Sequence, residues 1–320
     1  MNRFGNSFTL TDFGESHGKS IGGIVDGCPP GIDIDIEFIQ NELNRRAPSS
    51  APHSTRRQEP DKVQILSGIY QGKTTGAPIG FIINNEDVQI DEKNLKVLKP
   101  SHASFVYKEK YGHQDNFPAG RASARLTACT VVAGAIAKLL LRPFNISLET
   151  YILESGTPTC EGDTVGVKVG CCIRNLPIGL GEPLYDKFDA RLAYAMMSLN
   201  AAKGFEIGKG FESARMSGAA YNDRQTNNFQ FLSNHDGGVQ AGITNGQEVI
   251  FSVAFKPIPA IRIEQKTLDF EGNPTLYKAS NRNDLCVAPR IFPVIEATAA
   301  MVIADFILQS KHSKYLYGEK

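Results

Sequence analysis

The segment Ser123 to Leu141, SARLTACTVVAGAIAKLLL, constrains the fold more than any other part of the chain. Rich in alanine, valine and leucine, it reads as the clearest helix in the sequence. A second segment, Ala190 to Ala202 (ARLAYAMMSLNAA), is apolar nearly all round, and a helix of that kind has to be buried on every side. Another helix is expected from about Pro293 to Leu308, with the proline at a tolerated first-turn position. In IDIDIEFIQNELNRR, the apolar residues Ile36, Ile39 and Leu43 recur at helical spacing, with acids early and arginines late as the helix dipole prefers.

Such helices need sheets to cover them. Alternation and β-branched runs predict strands near Ser7–Phe13, Ile21–Val25, Val63–Tyr70, Ile79–Asn84, Ile146–Ser155 and Val165–Arg174. In VQAGITNGQEVIFSVAFKP, Asn245-Gly246 between alternating runs predicts a hairpin with a type I′ turn. Strands arrive in pairs joined by turns while helices arrive singly, so the regular alternation of a doubly wound parallel sheet is missing. The expectation is an α+β protein, with antiparallel sheets packed around buried helices. Two long polar stretches, Ala47–Asp61 and Leu98–Gly120, read as loops, and loops of that length are usually functional or mobile.

Lys plus Arg and Asp plus Glu both number 34, so the formal net charge is zero. That disfavours nucleic acid or an anionic membrane as partner, although a local basic pocket remains open. The start, MNRFGNSFTLTDFG, carries no apolar run of signal-peptide type, so export is not expected. The longest apolar stretch, VVAGAIAKLLL, falls short of the ~20 residues a bilayer requires. None of the six cysteines forms a C-x-x-C pair, so reduced thiols in a cytoplasm are expected rather than a disulfide scaffold or a zinc site.

Neither a phosphate-loop lysine motif, a dinucleotide fingerprint, a His-Glu-x-x-His nor a G-x-S-x-G is found. What remains is a set of polar clusters: Ser16-His17 in FGESHGKS, His102 in KPSHAS, Arg45, Arg46, Arg56 and Arg57 in one region, Arg121 and Arg125 in GRASAR, and NRNDLC from Asn281 to Cys286. Arginines beside a helix start suit phosphate and carboxylate. Loop histidines titrating near neutrality suit proton donation to an anionic substrate. Each cluster also has a plain reading: a polar turn, a dipole-capping arginine pair, or a helix start capped by Ser123. Taken alone they describe a soluble enzyme with an anion-binding site.

Taken together they resemble a known family. FGESHGKSIGGIVDGCPPG (13–31), GRASARLTACTVVAGAIAK (120–138) and RNDLCVAPRIFPVIEA (282–297) resemble the three signatures of the chorismate synthases. KYG, GLGEP, MSLNAAKGFEIGKGF and SNHDGG lie between them in the family's order. The resemblance implies one domain over residues 1–320, a β-α-β sandwich assembled as a homotetramer. It also implies conversion of 5-enolpyruvylshikimate 3-phosphate to chorismate and phosphate with reduced FMN (FMNH2) as cofactor. By that likeness His17 is the acid toward the leaving phosphate, His102 acts near flavin N1, and Asp284 acts at flavin N5. Ser16, Arg46, Arg57 and Arg125 line the substrate's anions. Arg121, Ala122, Ser123, Asn200, Ala201, Ala241, Lys256, Pro257, Ile258, Pro259, Ala260 and Arg282 contact the flavin.

This chain departs from the family pattern at Pro52, Lys99, Ser104, Ala122, Leu126, Asn283 and Leu285, and a stretch between about Gly156 and Asp163 is trimmed. Three outcomes are expected to compete: a working enzyme, a diverged relative that only binds flavin or a phosphorylated ligand, and a bifunctional enzyme with its own NADPH:flavin reductase. Without a nicotinamide fingerprint, an external flavin reductase is the expected electron source.

Overall fold

The computed structural model describes residues 2–47, 59–88, 94–112, 120–280 and 284–310. Near the N-terminus, β1 (Arg3–Phe4), β2 (Thr9–Gly14), β3 (Ser20–Asp26), β4 (Val63–Ile65) and β7 (Ile79–Asn84) form an antiparallel sheet of order β1-β2-β3-β7-β4. A short ribbon of β5 (Ile69–Tyr70) and β6 (Lys73–Thr74) hangs from it. The alternation read from the sequence sets which face is buried: Ile79, Phe81 and Ile83 of β7 point inward, and the residues between them are more exposed.

The second sheet, order β10-β13-β9-β8, takes β8 (Ser147–Ser155), β9 (Val167–Arg174), β10 (Ala202–Ile207) and β13 (Val249–Phe255), again antiparallel. Its central strands β9 and β13 are buried along most of their length. Two small ribbons, β11 (Val239–Gln240) with β12 (Ile243–Thr244) and β14 (Gln265–Leu268) with β15 (Pro274–Tyr277), complete the strands.

Between the sheets lie α1 (Ile36–Arg46), α3 (Thr127–Leu141), α4 (Phe188–Met197) and α6 (Phe292–Gln309); α2 (Ser104–Tyr111) and the single turn α5 (Gly218–Tyr221) lie outside this layer. The α3 helix packs on α6, α1, β2 and β3, while α6 packs on α4, β8 and β9. One continuous core of buried side chains therefore runs from the first sheet through the helices to the second. Two helical segments, Ala124–Phe144 and Phe292–Gln309, are long and apolar enough to cross a bilayer by composition. The first is longer than its apolar stretch suggests, because the helical path continues at both ends. With 83% of each window buried inside the fold, their apolarity is that of core helices.

Several details differ from the sequence reading. Val63–Tyr70 is two strands, because Gly68 turns the chain at φ +81. The helix expected to reach Ala202 stops at Met197; Ala201 adopts φ +66 and Ala202 already belongs to β10. Asn245-Gly246 is not the hairpin turn. The two positive-φ residues fall at Ala241 (φ +52) and Gly242 (φ +84), between β11 and β12, whereas only Gly246 of the Asn-Gly pair is left-handed. After it the chain leaves for β13, which pairs with β9 and β10. Leu98–Gly120, expected as a loop, contains α2.

Candidate active site

The Phe13–Ser20 segment joins β2 to β3 through a four-residue turn, closed by Gly18 N donating to Glu15 O at 3.1 Å. Gly14 enters it at φ +90, where a Cβ would sit 2.3 Å from Ser20 O, so only glycine fits. Ser16 and His17 are the central residues of the turn; Ser16 is buried and His17 half-buried. The turn is also held from outside. Ser16 N donates to Gly120 O at 3.4 Å, joining it to GRASAR. The Asn85 amide donates to Glu15 O (3.1 Å) and Gly18 O (2.8 Å).

Arg46 and Arg125 meet behind this turn. Arg46 ends α1, which starts at the Asp35 cap and buries Ile39 and Leu43 against the core. Ile36, expected on that face, is exposed. Arg125 lies in a 3-10 turn (Ala124–Leu126) that leads into α3 and is capped by Ser123, whose Oγ accepts from Arg125 N at 3.2 Å. Both guanidiniums are buried and both pair with Asp61, itself fully buried: Arg46 Nη1 at 2.9 Å on Oδ2, Arg125 Nη1 on Oδ1. Arg46 also donates to Thr127 Oγ1 (2.9 Å) and Ala124 O (3.1 Å), and Arg125 Nε donates to Asn85 Oδ1 (2.9 Å). Burial and the neighbouring Arg290 push the Arg46 guanidinium below the ordinary arginine range, while Asp61 pulls it back.

The third signature enters through Arg290. It donates to Arg46 O (3.0 Å) and pairs with Asp284 Oδ2 (2.5 Å), so the carboxylate of NRND is tethered to the arginine cluster. Counting Arg46, Arg125 and Arg290 against Asp61 and Asp284 leaves an excess of positive charge, as an anion site requires. The adjacent Arg45 turns away. It pairs with Glu296 and Glu42 beside Lys138, a structural cluster between the helices.

A second chain of bonds runs from GRASAR toward His102. Arg121 pairs with Asp12 (2.7 Å), and Asn200 Nδ2 donates to Ala122 O (2.8 Å). Lys256 N donates to Ala201 O (3.0 Å), and Lys256 Nζ donates to Ser101 O (2.8 Å), one residue before His102. Burial, with Lys99 and Lys256 nearby, pushes the His102 imidazole down to about 4. Its Nδ1 is buried with no hydrogen-bond partner among the described residues. A neutral ring with an orphan nitrogen, near enough to two ammonium groups to feel their charge, is chemically suited to a bound anionic ring, and the residues present fit a reduced flavin there. Along the stretch Pro257 to Ala260, Ile258 O accepts from Thr164 Oγ1 at 2.8 Å, and Ala260 packs against Val97, Tyr277 and Ala279.

The structure therefore brings together Ser16, His17, Arg46, Arg121, Ala122, Ser123, Arg125 and Asp284, and links Asn200, Ala201, Lys256 and His102 to them. Ala241 is not joined by any of these bonds. It sits at the tip of the β11–β12 ribbon, which packs on the N-terminal part of α4, about 15 Å of helix from Asn200. Arg57 and Arg282, with Pro52 and Asn283, lie outside the described residues.

Three of the departures have local accounts. Ser104 Oγ accepts from Lys99 N (3.0 Å). Ala122 contributes its backbone carbonyl, which needs no hydroxyl. Leu126 is buried in the core, and Asp61 supplies the negative charge beside the arginines. Asp61, Asn85 and Arg290 do not stand out in the sequence, because the bonds that join them to the arginines lie 15 to 244 positions away, and the nearer Arg290–Asp284 pair means nothing until Arg290 reaches Arg46.

Comparison with known proteins agrees with these motifs. The family model described as "Chorismate synthase" matches residues 8–161 and 157–308. A chorismate synthase from Bacteroides thetaiotaomicron is 46% identical over 97% of this chain and 99% of its own length. Another, from Christiangramia forsetii, is 44% identical over 98% and 99%. A crystal structure of a chorismate synthase superposes with a TM-score of 0.75 at 27% identity, covering 97% of this chain and 94% of the other. The aligned span with the Christiangramia protein, 352 positions, exceeds the 320 residues here. The two family matches meet at residues 157–161, in the loop between β8 and β9. That loop closes on itself through Thr159 and Asp163 and leans on the third signature, Val165 N donating to Leu285 O at 3.1 Å.

Proposed function

The chain belongs to the chorismate synthase family, and we propose that it makes chorismate and inorganic phosphate from 5-enolpyruvylshikimate 3-phosphate by 1,4-anti elimination, with reduced FMN bound at the same site. One observation carries the reading. The Ser16–His17 turn, the Arg46–Asp61–Arg125 cluster and the Asp284–Arg290 pair are parts of a single hydrogen-bonded network, although their residues are scattered along the chain from Ser16 to Arg290.

In this reading the phosphate and carboxylate of the substrate are held by the positive excess around Arg46, Arg125 and Arg290, with Ser16 and Arg57 contributing. The bond from the allylic carbon to phosphate oxygen breaks with its electron pair on the oxygen, and His17 delivers a proton there as general acid. When bound, reduced FMN would lend electron density transiently and offer N5 toward the departing hydrogen, the electrons of the broken C–H bond closing the new double bond so that no net redox change results. His102 holds or gives a proton near flavin N1, and Asp284, oriented by Arg290, acts near N5. Arg121, Ala122, Ser123, Asn200, Ala201, Ala241, Arg282 and the stretch Lys256 to Ala260 would hold the flavin. Desolvation of this region protects a reaction that water and oxygen would divert.

The wider picture is one catalytic domain, a carbon–oxygen lyase acting on a phosphate, working in the cytoplasm as a homotetramer. It would use an external flavin reductase rather than a nicotinamide site of its own. Exposed apolar side chains at Ile152, Leu153, Leu184, Tyr185, Phe211 and Phe229 support an assembly that covers some of them. Anaerobic incubation with photoreduced FMN and substrate tests the function. The expected result is chorismate absorbance with stoichiometric phosphate. Tight FMN binding without product would instead make the chain a diverged binding relative.

A further inference from the structure

We propose that Asn85 is a positioning residue that holds the Ser16–His17 turn in register with Arg125. The inference rests on the reading of His17 as the acid toward the leaving phosphate. Asn85 follows the end of β7 and is fixed on the backbone by its own N–H, which donates to Lys19 O at 3.1 Å beyond the start of β3. Its side-chain amide makes three bonds to two separate parts of the site. Nδ2 donates to Glu15 O and Gly18 O, the two ends of the turn, and Oδ1 accepts from Arg125 Nε at 2.9 Å.

The chemistry of the partners fixes which way the amide points. Backbone carbonyls only accept and a guanidinium only donates, so a flipped amide would set oxygen against two oxygens and NH2 against N–H. The arrangement is consequently directional. The amide clamps both ends of the turn whose middle carries His17, and the same group registers the guanidinium that pairs with Asp61. Other contacts to this segment, such as Ser16 N on Gly120 O and Arg121 Nη1 on Gly14 O, both at 3.4 Å, do not join its two ends to Arg125. An acid displaced by about 1 Å from its productive position costs on the order of 10²-fold in rate.

Asn85→Asp tests the clamp on the turn. It keeps an acceptor for Arg125 but removes both donors and puts a carboxylate against the carbonyls of Glu15 and Gly18. Steady-state turnover under anaerobic conditions with reduced FMN should show kcat lowered by about 10- to 100-fold; KM for the anionic substrate should rise as well, because the new carboxylate cancels positive charge beside Arg125, so kcat is the readout that reports the turn. Asn85→Ala, which also releases Arg125, should lower kcat and raise KM together. A wild-type kcat in Asn85→Asp overturns the proposal. So does a loss of rate matched by an equal loss of folded protein in the thermal melt of the same preparation.

His17→Ala distinguishes failure of the proposal from failure of the reading it rests on. Normal turnover in His17→Ala removes the acid role, and the placement of the turn is then read directly. In protein labelled with ¹⁵N-histidine, the His17 ring signals should shift or broaden in Asn85→Asp. If they stay unchanged, Asn85 does not position that turn.

Discussion

Taking one guanidinium out of water costs several kcal/mol, and placing a second beside it adds their repulsion. Arg46 and Arg125 are both buried, and one fully buried carboxylate, Asp61, pairs with both and cancels one of the two charges. Asp61→Asn keeps the shape and loses the charge, so it should destabilise the protein by about 3 kcal/mol, the size expected when one partner of a buried ionic group is removed. The two guanidiniums would then lack an anion, and inorganic phosphate should raise the melting temperature of the variant more than that of wild type. Equal phosphate shifts in the two proteins would show that the carboxylate is not what neutralises the pair. His102 gives a pH-dependent counterpart. Its folded pKa of about 4 lies below the ~6.5 of an unfolded histidine, through burial and then Lys99 and Lys256. Above pH ~6.5 neither state holds the proton; as pH falls toward about 4, the unfolded state takes it up first and folding stability drops. The loss is at most about 3 kcal/mol at ~1.4 kcal/mol per pH unit. His102→Gln should flatten the urea-midpoint profile over that window, and an unchanged slope would show that His102 does not set it.

At the level of elements, the crossing of α3 and α6 decides how closely the helix layer packs. A Cβ built on Gly134 would lie 2.2 Å from the Cβ of Ala297, so the helices touch through backbone at that point. Alanine improves helix propensity by ~1 kcal/mol over glycine, but here it would force the axes apart. Gly134→Ala is therefore expected to destabilise by ~1–3 kcal/mol, the usual cost of overpacking, in spite of the better propensity. Equilibrium urea unfolding reads the sign, and a stabilised variant would mean the crossing can relax. Elements of this kind were legible in the sequence, since the run of alanine, valine and leucine marked α3 and period-two alternation marked β7 and its neighbours; α4, read as buried on every side, buries only one face and leaves Tyr194 and Met197 exposed. What the sequence hid was decided by pairing at a distance. Asn245-Gly246 has good turn chemistry, yet β13 pairs with β9 and β10, and the β11–β12 ribbon turns at Ala241-Gly242. The site divides the same way. His17, Arg46 and Arg125 stand in recognisable motifs. Asp61 and Asn85 are ordinary residues until the fold brings α1, β7 and the start of α3 to one point.

Over the whole molecule, the helix layer is fastened to the second sheet by a cluster of charges. Glu296 of α6 accepts from Arg45 of α1 (2.7 and 2.8 Å), from Lys138 of α3 (2.9 Å) and from Thr150 of β8 (2.9 Å), and Glu42 joins the same two cations. Arg45 and Arg46 are adjacent in α1, so this cluster fixes the helix turn from which Arg46 reaches the arginine–aspartate site. Burial alone would raise the Glu296 carboxyl, but hydrogen bonds from Arg45 and Lys138 outweigh it and hold the group below its ordinary range. A depressed carboxyl stabilises the fold above its unfolded pKa of ~4.3, and that stability fades as pH falls through the lower folded value. Glu296→Ala removes the shared acceptor and leaves Lys138 with Glu42 alone among the described residues. The expected loss is about 2–4 kcal/mol at neutral pH, toward the lower end because the Arg45 side chain is 44% exposed and water can take its charge. The same variant should lose less additional stability than wild type on acidification below pH ~4. Urea midpoints measured across pH 3–7 for both proteins test this, and parallel curves would mean that the cluster packs the layers without contributing through its charge.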